Sequence, residues 1–79
     1  MLNSICDVIR MERITKRLSQ KEVAKKLGRS QSYYTKMEKG KAGITLRNLL
    51  KLLEIFEIDY FEFNKKVKKR FKGDPFYYV

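Results

Sequence analysis

The chain has 79 residues, enough for one domain and too few for two. With 43% hydrophobic and 35% charged residues it has the balance of a folded domain, and sparse Gly and Pro beside abundant Leu, Lys, Glu and Arg point to an all-α fold. A formal net charge of +10 points to a polyanionic partner, while the lack of His removes imidazole acid–base chemistry and the usual zinc sites, and the lone Cys6 excludes an internal disulfide.

The first helix is expected over about Ser4–Ile14, with Ile5, Val8 and Ile9 on one apolar face and Met11 and Ile14 beside it. Cys6 on this helix reads as a small buried apolar group. The same stretch carries Asp7, Arg10, Glu12 and Arg13, so it has no secretory leader character, and a cytoplasmic protein is expected. The second helix is expected over Gln20–Leu27. Ser19 and Glu22 have capping-box spacing, Val23, Ala24 and Leu27 form the buried stripe, and Gly28 allows a sharp left-handed turn.

The third helix is expected over about Gln31–Lys39, capped by Ser30, with Tyr34 and Met37 facing inward and Gly40 ending it. The fourth follows the Thr45 cap. Leu46, Leu49, Leu50, Leu53 and Phe56 recur at helical spacing, and Leu52 and Ile55 widen the apolar band enough to suggest a second face against a partner. The fifth starts at Asp59, with Glu62 at capping-box spacing. Phe63, Val67 and Phe71 stand four apart, Phe61 lies alongside, and Gly73-Asp74-Pro75 ends the helix. The domain is therefore expected over residues 1–72, with 73–79 an aromatic tail available for dimerisation. The longest apolar stretch, Leu49–Ile58, is interrupted by Lys51, Glu54 and Glu57 and is shorter than the roughly 20 residues a bilayer span needs, so no membrane is expected as partner.

Charge divides along the chain. Residues 8–41 carry eleven Lys/Arg against three acids, residues 42–64 two against four, and residues 65–72 six with no acid. Within the basic first block, two short helices meet at the Gly28 turn, and the second presents Gln31, Ser32, Thr35 and Lys36 on its outer face. The major groove of duplex DNA admits one helix, and these side chains match its base edges: Gln with adenine, Lys with guanine, Ser or Thr with several bases. The helix N-termini add free amides at Gln20–Glu22 and Gln31–Tyr33 that favour phosphate.

The run Leu18-Ser19-Gln20-Lys21-Glu22-Val23-Ala24-Lys25-Lys26-Leu27-Gly28 resembles the first motif helix of the phage repressor and Cro family of helix-turn-helix domains, of the xenobiotic-response-element type. Ser30-Gln31-Ser32 through Met37-Glu38-Lys39-Gly40 resembles that family's recognition helix, and Thr45-Leu46-x-x-Leu49-x-x-Leu52 the helix after it. The resemblance spans about Ile9–Phe61 and implies a five-helix, lambda-repressor-like fold. It implies that Gln20 meets a DNA phosphate, that Gln31, Ser32 and Lys36 face bases, and that Arg13 pairs with Glu38 and touches phosphate. It also places Lys39, Lys41 and Arg47 near the DNA backbone. The sequence departs from the family pattern at Glu12, Arg29, Tyr33 and Tyr34. A buried Tyr34 needs a partner for its hydroxyl, and Arg29 and Tyr33 are expected to reach phosphate.

The expected function is a DNA-binding transcriptional regulator, a repressor acting as a homodimer on a pseudo-palindromic site. Dimerisation doubles a readout that is weak in one module. Leu52, Ile55, Phe61, Phe63 and Phe71 are the expected dimer contacts. A different class is a protein-interaction module, such as an antitoxin whose Lys65–Lys72 run and tail bind a partner protein. RNA suits the motif less, because the A-form major groove is closed to a helix. No paired carboxylates and no phosphate-cradling glycine loop are present, so neither an enzyme nor a cofactor is expected.

Overall fold

The computed structural model describes residues 2–72, and the side chains of residues 4–70. The described residues form five helices and no strands: α1 (Leu2–Thr15), α2 (Gln20–Leu27), α3 (Gln31–Glu38), α4 (Leu46–Ile55) and α5 (Tyr60–Lys72). None of them is long and apolar enough to cross a membrane. The tail 73–79 and the side chain of Phe71, both expected at a dimer contact, lie outside the described residues.

Local chemistry fixes the helix starts. The Ser19 hydroxyl accepts from the Glu22 amide, and the Glu22 carboxylate accepts from the Ser19 amide, closing the capping box. Ser30 accepts from the Tyr33 amide and Thr45 from the Asn48 amide. Asp59 caps α5 through the Phe61 amide at 2.6 Å.

The helix ends share one device, expected at Gly28 and Gly40 and found also at Arg17 and Glu57. Four helices close with the same pair of backbone bonds, six-to-one and five-to-two, around a residue in left-handed conformation. Gly28 (φ 76°) and Gly40 (φ 73°) serve α2 and α3. Arg17 (φ 58°) and Glu57 (φ 54°) serve α1 and α4, where an ordinary side chain bears the steric cost of that conformation. Leu18 and Ile58, next in sequence, pack against the core and hold those two turns in place.

Helix α1 packs against α3 and α5, and α2 packs against α3 and α4. The shared core is built on Ile9, Val23, Tyr34, Met37, Leu52 and Phe56, all fully buried. Cys6 is buried too; its thiol donates to the Met37 carbonyl at 3.3 Å, and burial followed by Asp7 pushes its pKa up.

Helix α4 corrects the sequence reading. Its inward face is Leu49, Leu52, Leu53 and Phe56, while Leu46 and Leu50, expected in the buried stripe, are 68% and 49% exposed. The apolar band is wider than the core can cover, and packing against α2 selects which part is buried. Leu52 and Phe63, expected at a dimer contact, are core residues at 0% and 3% exposure. Of the expected dimer residues, Phe61 is open at 73% and Ile55 is half-buried. On α1, Met11 and Ile14 lie on the surface.

Two ion pairs fasten α5 to α1. Lys66 meets Glu12 at 2.6 Å, and Arg70 meets Asp7 at 3.0 Å. Glu12 is itself buried, and its pairing with Lys66 is what lets a carboxylate occupy a position where the family resemblance leads one to expect an apolar residue.

Two stability measurements check this account in urea unfolding. Leu52→Ala lowers stability by about 2–5 kcal/mol, as expected for a fully buried leucine. Glu57→Gly raises it by about 0.5–1 kcal/mol, because glycine adopts the left-handed turn without the Cβ cost.

Candidate nucleic-acid interface

Packing of α2 against α3 around the Gly28 turn sets the angle at which α3 leaves the domain. Tyr34 and Met37 anchor the inner side of α3. Its outer side presents Gln31, Ser32 and Lys36, all exposed, with Thr35 half-buried at their edge. These four line one shallow concave surface together with Lys39 and Lys41. The structure thus gathers the four expected base-reading residues and two of the expected backbone contacts on one face. Arg47 is exposed at the start of α4.

Arg29 and Tyr33 have defined local roles. The Arg29 guanidinium lies 5.3 Å from the centre of the Tyr33 ring, a cation–π distance. The Tyr33 hydroxyl donates to the Gly43 carbonyl at 3.3 Å and accepts from Asn48 Nδ2 at 3.5 Å. Tyr33 therefore ties α3 to the α3–α4 loop that carries Lys41, and the buried Asn48 completes the tie from α4.

Behind this face lies a polar cluster centred on Glu38. Arg13 Nε donates to Glu38 Oε2 at 2.6 Å, and Arg13 Nη2 lies 3.3 Å from Oε1. Arg13 Nη1 donates to the Leu18 carbonyl at 3.0 Å. Gln20 Nε2 donates to Glu38 Oε1 at 3.1 Å, and Gln20 Oε1 accepts from the Thr35 hydroxyl at 3.1 Å. Gln20, assigned to phosphate by resemblance, has both ends of its amide engaged inside the protein.

The side chains of Arg13 and Glu38 are 14% and 3% exposed. Burial acts to raise the Glu38 pKa, but the hydrogen bond from Arg13 and the approach of Tyr34 and Gln20 outweigh it. The carboxyl therefore titrates below its ordinary value. The Tyr34 hydroxyl nears this carboxylate without reaching hydrogen-bond geometry, and it is buried with no partner. Burial, with Glu38 adding, pushes that phenol well above its usual pKa.

One candidate contact escaped the sequence reading. Arg10 lines a cleft with Arg13, Gln20, Glu38 and Lys39, between α1, the start of α2 and the end of α3. The available signal was its position three residues before Arg13, which puts both on one side of α1. In the second basic block, Lys66 and Arg70 are committed to acids of α1, whereas Lys65, Lys68 and Lys69 are exposed and pair with no acid among the described residues. Among the described residues, no group of acidic or Cys side chains could hold a metal ion.

The model of the helix-turn-helix family matches residues 9–63, well over half of the chain. No curated protein matches the sequence. Among solved structures, a point mutant of the restriction-modification controller protein C.Esp1396I is similar, with a TM-score of 0.85, 19% identity and 92% of each chain covered. At that identity the likeness is one of fold.

The Glu38 cluster predicts an acid-labile component of stability. A carboxyl with a depressed native pKa stabilises the fold fully above its unfolded-state value, ordinarily 4.5, and that contribution is lost as pH falls through the lower native value. Urea midpoints measured at intervals from pH 6 downward should fall in that window. Glu38→Gln should be less stable at neutral pH by about 1.5–3 kcal/mol, the worth of hydrogen bonds to a charged group, and should show a shallower acid decline.

Proposed function

The chain belongs to the helix-turn-helix family of the xenobiotic-response-element type and is a DNA-binding transcriptional regulator, and from that premise we propose that it is a repressor acting as a homodimer on a pseudo-palindromic operator. The observation that carries the reading is the outer face of α3, where Gln31, Ser32 and Lys36 project from a helix locked in orientation on its other side by Tyr34 and Met37. Gln31 and Lys36 have the donor and acceptor sets for adenine and guanine edges. Lys39, Lys41, Arg47 and Arg29 supply charge for the phosphates around this face, and Arg10 joins them from the cleft beside Arg13, whose own charge is taken up by Glu38. Such contacts make affinity fall steeply with salt.

A homodimer supplies the second recognition helix, about 34 Å from the first on one face of the duplex. The support for it is the exposed apolar surface at the α4–α5 corner. Phe61 and Tyr60 stand edge to face at 6.1 Å there, 73% and 51% exposed, close in sequence to the half-buried Ile55. That surface takes over the dimer role expected of Leu52 and Phe63. Repression then follows from occupancy of promoter DNA, with dimer concentration setting the response.

Selection of bound sites from random duplex DNA tests the readout. The wild-type chain should yield a two-fold-related motif, and Gln31→Ala with Lys36→Ala should flatten preference at one or two positions per half-site, at about 1–3 kcal/mol each. An unchanged motif in that variant would remove Gln31 and Lys36 from the readout. Sedimentation of the wild type with Phe61→Glu checks the assembly: a dimer reduced to monomer by the substitution is the expected result, and a monomeric wild type at micromolar concentration, with and without DNA, rejects the dimer.

A further inference from the structure

The direction of each hydrogen bond in the Glu38 cluster can be deduced without seeing a proton. Glu38 is held ionised by the two-pronged contact with Arg13 and is almost wholly buried. A carboxylate only accepts hydrogen bonds. The Gln20 atom that faces it at 3.1 Å must therefore be the amide nitrogen. The reverse placement would set two acceptors against each other inside the protein. With its nitrogen committed to Glu38, Gln20 turns its carbonyl oxygen to Thr35, 3.1 Å away. A carbonyl oxygen cannot donate, so the Thr35 hydroxyl must spend its one proton there. What Thr35 has left is lone-pair density and a methyl group. Thr35 is half-buried at the edge of the exposed Gln31, Ser32 and Lys36 face and shares its concave surface.

We propose that Thr35 is a specificity-determining residue that excludes guanine from one position of the bound site, because Gln20 takes its hydroxyl proton and leaves it only an acceptor and a methyl group to present to the groove. A free threonine hydroxyl rotates and serves donors and acceptors alike. This one meets adenine N6 or cytosine N4 with its lone pair, or the thymine methyl with its own methyl group. Guanine offers only acceptors on its major-groove edge, O6 and N7, and would be set against an acceptor. Gln20 is then a positioning residue, and its influence on sequence choice passes through Thr35. The inference rests on the DNA-reading face proposed above.

Site selection with the wild-type chain, Thr35→Val, Thr35→Ser and Gln20→Met tests it. The position whose preference changes in Thr35→Val is the one Thr35 reads. There the wild type should disfavour guanine by about tenfold, the size of an ordinary single-pair mismatch. Thr35→Val should keep thymine and lose adenine and cytosine. Thr35→Ser should keep the exclusion of guanine and lose the advantage of thymine. Gln20→Met, similar in shape and unable to hold the proton, should admit guanine at that position. Guanine accepted by the wild type there, or still excluded by a folded Gln20→Met chain, overturns the inference. So does a Thr35→Val chain with an unchanged motif. If Gln20→Met does not fold, the contrast between Thr35→Ser and Thr35→Val decides, and a serine chain that accepts guanine overturns it. A wild-type chain that selects no motif at all fails the proposed function itself, which separates that failure from this one.

Discussion

The Glu38 carboxylate is the point on which the arrangement of the first three helices depends. It sits at the end of α3, accepts from Arg13 of α1 and accepts from Gln20 at the start of α2. A buried charge is costly unless it is paired and its lone pairs are used, and here Arg13 and Gln20 do both. The energetic consequence is asymmetric. The intact cluster adds modest net stability, whereas loss of one member leaves a buried charge or amide unpaired. The cluster therefore specifies geometry more than it adds stability: α3 can leave the domain only at the angle that keeps its last turn against α1 and its middle against the start of α2. The orientation of the outer face of α3, with Gln31, Ser32 and Lys36, follows from that.

The opposite side of α1 is fastened by charge as well. Glu12–Lys66 and Asp7–Arg70 pair residues whose numbers rise on α1 as they fall on α5, so the two helices run antiparallel. Glu12 is buried and its pair bears on stability; Asp7 and Arg70 are both about 40% exposed, and such a pair contributes roughly 0–1 kcal/mol. Helix α1 is thus a strut with apolar residues on its inner face, Arg13 toward α3 and acids toward α5. The acids of α1 neutralise part of α5 and none of α3, which leaves the positive charge of residues 29–47 unopposed on the side where DNA would lie. The charge asymmetry visible in the linear sequence becomes an asymmetry of faces through this packing.

Among the described residues, the Tyr34 hydroxyl is the buried side-chain polar atom left without a partner. The Tyr34 ring fills the centre of the domain while its hydroxyl lies beside Glu38. The ring is large and fully buried, so packing outweighs the orphaned hydroxyl, whose loss of solvation costs about 1–3 kcal/mol. The same ring holds α3 down along its middle, next to Thr35, so this departure from the family pattern bears on the outer face of α3 through packing.

The sequence by itself determined the local events. Ser19, Ser30 and Thr45 begin helices and Gly28 and Gly40 end them, because capping and left-handed turns depend on residues within a few positions of one another. The motif at Gln20–Lys39 was legible for the same reason: two short helices and a turn are one contiguous segment. Turns at Arg17 and Glu57 were not legible, since nothing in those residue types favours a left-handed conformation, and only the packing of Leu18 and Ile58 enforces it. Tertiary structure alone decided which part of the α4 apolar band is core, because Leu46, Leu50 and Leu52 are chemically alike and only the position of α2 tells them apart. It also decided that Gln20 faces Glu38 and Thr35. Those contacts join residues 15 and 18 positions apart on different helices, and a hydrogen bond acts over about 3 Å. No local pattern encodes such a meeting, so what Thr35 has left to offer is a property of the fold.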